Sequence, residues 1–356
     1  MPTNQRHPWR KLLRNKSAVC GMLVIGACVA VAVFAYFISP DSSPNANRII
    51  VEIGGQKPGF TQRFLKVPKQ YAAPRQSFTG ILINGKKDRF DFIPVTGYTW
   101  KPDSLIINKY VDEGVTERIA YEKNSIRGFE FTTMRFVLGT DKFGRDILSR
   151  LIVGVRVSLG VGLVTVLLSV LIGVLLGAIA GYFRGRVDDV IMWLINVVWS
   201  IPTLLLVFAV TLVLGKGFWQ VFVAIGLTTW VNVARLIRGQ VLGIRKLEYI
   251  EAARALGYSD ARIITRHILP NVTGPVIVIA ASNFASAIVI EAGLSFLGVG
   301  VQPPQPSWGL MIKENYNFII THNPMLALAP GFAIMLLVLA FNMLGNGLRD
   351  ALQVKE

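Results

Sequence analysis

The 356-residue chain is 52% hydrophobic and only 16% charged, with a mean hydropathy of +0.50, where soluble domains carry about 25% charged residues. That balance excludes an ordinary soluble domain and indicates a polytopic membrane protein. A net charge of +16 leaves three destinations open: nucleic acid, an anionic membrane surface, or cytoplasmic loops under the positive-inside rule.

The basic start, with Arg6, Arg10, Lys11, Arg14 and Lys16, reads as a cytoplasmic N-terminus over residues 1–16. Residues 17–38 are uncharged and long enough for a first span, since about 20 residues cross the hydrocarbon. Ile25-Gly26-Ala27-Cys28 resembles a lipoprotein cleavage box, but the chain stays apolar to Ile38, so an uncleaved helix is expected. Cys20 and Cys28 both lie in that run and read as small packing residues, with no disulfide framework and no metal site.

Residues 39–136 are polar and read as an inserted, mainly β, extracytoplasmic domain. Arg48–Ile53, Phe78–Ile83, Arg89–Val95 and Ser104–Val111 are the candidate strands, and Asn84-Gly85 is a hairpin turn signal. Gly80 to Lys87 nearly matches a phosphate-binding loop. Lys87 stands where magnesium needs Ser or Thr, and no helix pattern follows, so no ATPase site is expected in this chain. Residues 137–156 suggest an amphipathic interfacial helix, with Asp141 as a cap and Phe143, Ile147, Leu148 and Leu151 at helical spacing. An ordinary exposed helix start is the alternative.

The second span is expected at 157–183, with Gly173, Gly177 and Gly181 allowing close helix approach. Arg184 and Arg186 close it inside. The third span, 190–214, contains Pro202, which should kink it, with Asn196 and Ser200 on the preceding turns. Lining of a substrate path and plain interhelical hydrogen bonding both fit these polar residues. A short outer turn at Gly215-Lys216-Gly217 leads to the fourth span, 218–234, with Trp219 and Trp230 placed as an aromatic belt.

The polar element 235–270 carries Arg235, Arg238, Arg245, Lys246, Arg254, Arg262 and Arg266 against Glu248, Glu251 and Asp260, which places it in the cytoplasm. Leu247–Leu256 reads as a helix and Gly257 as its C′ residue. Ser259 or Asp260 would cap a second helix through His267, ended by Pro270. Tyr249, Ala252, Ala253 and Leu256 would form an apolar knob for a soluble partner. A solvated loop resting on anionic lipid is the competing reading.

The fifth span is expected at 272–290. Asn283 within it and Glu291 at its end join Asn196, Ser200 and Pro202 as candidate lining of a translocation path. Residues 291–323 form an outer loop, stiffened by prolines between Gln302 and Trp308. The sixth span, 325–348, is weakened by Pro330 and Gly331, and 349–356 is a cytoplasmic C-terminus. A helix-turn-helix at 252–268 would need a third core helix, which the adjoining spans do not leave room for. A stand-alone secondary transporter would show intramembrane ionisable groups, and only Glu291 is close. No His-Glu-x-x-His is present, so no metallohydrolase chemistry is indicated.

Glu251-Ala252-Ala253, Gly257 and His267-x-Leu269-Pro270 resemble the EAA signature of bacterial ABC importer permeases. Leu138-Gly139-Thr140-Asp141 with Gly144-Arg145-Asp146, Gly181-Tyr182-Phe183, Ser200-Ile201-Pro202, Glu291 to Gly298, Pro306-Ser-Trp308-Gly309 and Phe341-Asn342 are similar to the dipeptide/oligopeptide branch, C-type subunit. The resemblance covers residues 137–356 closely and 1–38 loosely; residues 39–136 fall outside it. It implies an all-α fold of six transmembrane helices, the type I importer permease fold. It implies a second permease subunit as heterodimer partner, two cytosolic ATPase subunits holding ATP and Mg2+, and an extracytoplasmic solute-binding protein, all at the bacterial inner membrane. This chain would bind no cofactor and no nucleic acid. Glu251, Ala252, Ala253, Leu256, Gly257, His267 and Pro270 would couple to an ATPase, with Glu251 pairing to a nearby Arg. The implied cargo is a di- or oligopeptide, with nickel or opine-like solutes as family alternatives.

Overall fold

The computed structural model describes residues 8–69, 76–122, 128–215, 217–321 and 323–352. Lys216 of the outer turn, and the far ends of both tails with Arg6 and Lys355, lie outside them. In chain order the helices begin with α1 (Pro8–Arg14) and α2 (Lys16–Ile38). Then come β1 (Phe60–Pro68), α3 (Phe78–Asn84), β2 (Phe90–Trp100), β3 (Ser104–Asp112), β4 (Val115–Glu122) and β5 (Glu130–Phe136). The remainder is helical: α4 (Ile147–Phe183), α5 (Gly185–Trp199), α6 (Thr203–Leu214), α7 (Phe218–Ile244), α8 (Glu248–Ala255), α9 (Asp260–Ile263), α10 (Thr273–Leu297), α11 (Trp308–Asn315), α12 (Phe318–Thr321) and α13 (Met325–Leu352).

Among the described residues, five helices or helix runs are long and apolar enough to cross a membrane: α2, α4, α7, the run 260–297 and α13. The bent pair α5 and α6, turning by 93°, makes a sixth when the two are counted as one span. Pro202, which cannot donate to the previous turn, stands at that break, so the third span is two short helices with a corner rather than one kinked helix. Pro330 lies inside α13, which runs on through it. The chain divides into two compact units: residues 1–28, 158–302 and 333–356, and residues 29–157 and 303–332.

The second unit is built on an antiparallel sheet ordered β4-β3-β2-β1-β5. One cluster joins Ile50 and Ile53 to Phe64, Tyr110 and Phe136. Another joins Leu65, Val95, Leu105 and Ile107 with Ile93 and Phe131 packed against them. Alternation along β1 and β3 sends successive side chains to opposite faces, so the two clusters lie on the two sides of the sheet. Two expected strands are absent. Phe78–Asn84 is helix, not the first arm of a hairpin, and Gly85 at φ +77 ends that helix. Its run Ile81-Leu82-Ile83 has no strand alternation, and a positive-φ glycine serves a helix end as well as a turn. The helix precedes Gly85-Lys86-Lys87, the reverse of a phosphate loop, in which a helix N-terminus must follow. Arg48–Ile53 is no strand either: it ends in a single 3-10 turn, and the Ile50 N–H donates to the Phe143 carbonyl at 3.1 Å.

The expected interfacial helix over 137–156 is not separate. Residues 137–146 form a tight loop, and α4 runs unbroken from Ile147 through the second span. Asp141 does not cap it. Its Oδ1 accepts from the Phe143 and Arg145 N–H groups at 2.9 and 3.0 Å, and its Oδ2 from Arg145 Nε at 2.6 Å. Asp146 is the cap, accepting from the Ser149 N–H at 2.9 Å and from its hydroxyl. Gly144, at φ +72, allows this loop to lie against the Ile50 carbonyl, which an added Cβ would meet at 1.7 Å.

In the first unit the glycine stripe has a definite partner. Added Cβ atoms at Gly173, Gly177 and Gly181 would meet Val233, the Ala234 carbonyl and the Arg238 carbonyl on α7, at 2.5, 2.4 and 2.8 Å. The α4 and α7 backbones therefore touch, as small-residue stripes permit. Trp230 is buried in the same contact zone with Ile195, Val231 and Ala234, so it is no belt residue, whereas Trp219 is exposed. Gly177→Leu should lower the unfolding temperature of the detergent-purified protein, with an overpacking cost of about 1–3 kcal/mol or more. Gly26→Leu, at a glycine with nothing within 4 Å, should leave it unchanged. Equal melting of the two variants would contradict the α4–α7 contact.

Candidate functional site: the polar loop between α7 and α10

The long basic stretch begins later than charge alone suggests. Helix α7 continues past Ala234 to Ile244, and the connection is 245–272. Leu247 is extended, at φ −79 and ψ 141, and starts α8. Glu248 and Glu251 occupy its first turn and Arg254 its last, each favourable to the helix dipole.

Helix α8 has two distinct faces. Ile250 and Ala253 are buried in a cluster with Ile237, Val241, Ile263, Ile268 and Val272. Tyr249, Ala252 and Leu256 point away and are exposed, Leu256 to 73%. The expected knob therefore loses Ala253, which instead lets α8 approach the ends of α7 and α10. Glu251 is exposed and, among the described residues, makes no ion pair within 4 Å, contrary to the expected Arg partner. Its i+3 neighbour Arg254 turns towards Tyr182 instead.

Gly257 takes φ +76 with open space around it. Its N–H donates to the Arg254 carbonyl at 3.0 Å and the Tyr258 N–H to that of Ala253 at 3.2 Å. These two bonds form a Schellman cap. Tyr258 then stacks on His267, with ring centroids 6.0 Å apart and planes 21° apart, and Arg262 lies 4.2 Å over the Tyr258 ring. Asn271 Nδ2 ties the return strand, donating to the His267 carbonyl at 2.7 Å and to the Tyr249 hydroxyl at 3.3 Å. His267 thus holds the glycine turn from the far side.

Pro270 does not end the second helix. Residues 264–268 form a π turn and 269–272 a 3-10 turn, continuous with α10. The change of register absorbs the missing proline N–H. Ser259 stands at the N-cap position of α9 but its side chain makes no cap bond. Asp260 instead accepts from the Tyr182 hydroxyl at 2.5 Å. The guanidinium groups of Arg245 and Arg254 each lie 5.6 Å from the Tyr182 ring. Burial, then the nearby charges of Arg184 and Arg254, hold Arg245 below the usual arginine range. The hydrogen bond to Tyr182 raises Arg254. On the other side of α7, Arg238 Nε and Nη2 grip both carboxylate oxygens of Asp188 at 2.5 and 2.6 Å, fastening the start of α5.

The candidate path residues separate. Asn283 is nearly buried, donates to Ser169 Oγ at 3.3 Å, and lines a cavity of about 470 Å³ with Thr203, Thr229, Asn232, Ser286 and Asn342. No side chain in that lining is charged. Pro202 is the N-cap residue of α6, beside Thr203. Ser200 Oγ turns back to the Val197 carbonyl at 2.8 Å, and Asn196 Oδ1 accepts from Arg235 Nη2 at 2.9 Å. Glu291 does not join them. It lies inside α10, 1% exposed, and accepts from Ser295 Oγ at 2.6 Å. The same Ser295 oxygen takes the Val301 N–H, so this carboxylate organises the turn after α10. Sequence reasoning missed Asn232, Thr229 and Asn342 as cavity residues. Their i, i+3 spacing on α7 was the available signal for the first two.

Comparison with known proteins adds the following. Residues 173–355 match the model of the family described as binding-protein-dependent transport system inner membrane component. Residues 6–54 match the N-terminal TM domain of oligopeptide transport permease C. The sheet β1–β5 lies between the two matches. The chain is 44% identical over 218 residues to the glutathione transport system permease protein GsiD of Pectobacterium atrosepticum, covering 61% of this chain and 72% of that one. It is 43% identical over 217 residues to the dipeptide transport system permease protein DppC of Alkalihalophilus pseudofirmus, covering 61% and 71%. Among solved structures, a chain of the inward-facing MetNI methionine ABC transporter matches at 20% identity, 59% and 98% coverage, and a TM-score of 0.49.

Proposed function

We infer the working role of this chain from its family: it belongs to the binding-protein-dependent transport system inner membrane components, and it is the permease subunit of an ABC importer. The cargo we propose is a short peptide or peptide-like solute. Two relatives are named for glutathione and dipeptide transport. The cavity lined by Asn232, Asn283 and Asn342 supports the same cargo, because carboxamides both donate to and accept from peptide groups.

In this reading α8 is the element an ATPase grips. The observation that carries it is the division of α8: Ile250 and Ala253 anchor it to the spans, while Tyr249, Ala252 and Leu256 remain uncovered on a polar loop. The Schellman cap at Gly257 and the Tyr258–His267 stack hold α8 at a fixed angle. A push on α8 then reaches α7 through Ile237 and Val241, and α5 through Asp188 and Arg238. Cytosolic ATPase subunits would hold ATP and Mg2+, a second permease subunit would complete the path, and a solute-binding protein would deliver cargo from outside. Both termini would be cytoplasmic and the sheet β1–β5 extracytoplasmic, in the type I importer arrangement.

Expression of the whole transporter and purification of this chain in mild detergent tests the reading. It should bring down an ATPase subunit, and mass spectrometry of bound solute should find a peptide. Nickel or an opine in its place would overturn the cargo assignment. Transport by this chain alone in liposomes would overturn the coupling assignment.

A further inference from the structure

One charged side chain lies next to Asn232 of the asparagine-lined cavity without lining it, and its bond to Asn196 uses only one of its donors. Arg235 lies one turn beyond Asn232 on α7. Its guanidinium lies 3.5 Å from the centroid of the Trp199 ring, and its Nη2 donates to Asn196 Oδ1 at 2.9 Å. Trp199 Nε1 donates to Asn232 Oδ1 at 3.1 Å. Arg235 Nε is buried and has no hydrogen-bond partner. Trp199 thus separates a cavity residue from the cation beneath it. The Nε–Nη2 edge of a guanidinium matches the two oxygens of a carboxylate. On Arg235 that edge has one empty donor and one donor held by a neutral amide, which a carboxylate outcompetes.

We propose that Arg235 is a carboxylate-binding station below the asparagine-lined cavity, covered by Trp199 and Asn196 and opened to the anionic end of a passing solute. Trp199 and Asn196 sit together at the C-terminal end of α5, immediately before the 93° corner into α6. Asp188, at the other end of α5, is held by Arg238 of α7. A turn of α5 about that anchor carries both covering groups off Arg235 at once. The cation–π contact holds the half-exposed guanidinium against Trp199 until then, with Nε itself buried. The station rests on the permease reading and names the chemistry of its cargo: a solute with a free carboxylate.

The test uses the purified permease–ATPase complex without its binding protein, so that selection by that protein does not enter. Glycylglycine and glycylglycinamide are titrated, and the Trp199 signal is taken as the emission difference between wild type and Trp199→Phe. The free acid should shift that signal with an affinity about tenfold tighter than the amide, the value of one charge-assisted hydrogen bond. Arg235→Gln should abolish the preference, and Arg235→Lys, which keeps the charge without the fork, should restore part of it. Equal responses of wild type to acid and amide overturn the station, as does an acid preference that survives Arg235→Gln. Uptake of glycylglycine by the full importer is measured in parallel. No uptake beside an acid-selective signal would overturn the peptide cargo and leave the station supported.

Discussion

Gly257→Val should reduce solute-stimulated ATP hydrolysis by the assembled importer by about tenfold or more, while Gly257→Asn retains most of it. The argument rests on the backbone. Gly257 is at φ +76, where a side chain costs about 1–2 kcal/mol and asparagine is the best tolerated substitute. A β-branched valine is the worst. No atom lies within 4 Å of the Cβ that a substitution would add, so collision does not contribute. What fails is the cap. Two hydrogen bonds close α8, from Gly257 to Arg254 and from Tyr258 to Ala253, and both need the left-handed residue. Helix α8 has 8 residues, short of the ~12 at which a lone helix is even marginal. Without its cap it depends on Ile250 and Ala253 alone, and the angle of Tyr249, Ala252 and Leu256 is lost. Hydrolysis in the valine variant equal to wild type, in a complex that still assembles, would remove α8 as the coupling element.

Much of this was legible because membrane spans and helix ends are local signals. Uncharged runs marked α2, α4 and α13, and Gly257 followed by a polar residue marked its own cap. What depends on distant partners was not legible. Asp141 and Asp146 are equally good caps by type; only the wrapping of Asp141 around the Arg145 N–H and guanidinium, under the Ile50 carbonyl, decides for Asp146. Ala252 and Ala253 are adjacent and identical, and the α7–α10 cluster alone says which is buried. Glu291 closes an apolar run in sequence but sits inside α10, where Ser295 Oγ one turn on donates to it and in turn accepts from the Val301 N–H. The Arg235–Trp199 contact joins residues on two helices, across the corner that Pro202 makes, and no periodicity in either helix announces it.

Replacing residues 62–134 with Asn-Gly should cut uptake at least about tenfold while the ATPase subunits still co-purify. The join is set by register. Thr61 and Arg135 are direct partners in the β1–β5 pair, and a two-residue Asn-Gly turn closes such a pair without strain. The Gly59 N–H still reaches the Phe136 carbonyl at 2.8 Å, and the Thr140 N–H the Gln56 carbonyl at 3.1 Å, so the loop that leads into α4 keeps its supports. The deletion removes β2, β3, β4 and α3 together, and with them the cluster of Leu65, Val95, Leu105 and Ile107. That cluster is internal to the sheet, but Phe64 and Tyr110 leave with the segment too, so Ile50, Ile53 and Phe136 lose the partners of their own cluster. The segment lies outside both family matches. The expected role is a surface that receives the binding protein or braces the partner permease. Loss of uptake with intact assembly points to reception of the binding protein, and loss of the second permease from the complex points to the brace. Full uptake by a fully assembled deletion variant would deny the sheet either role.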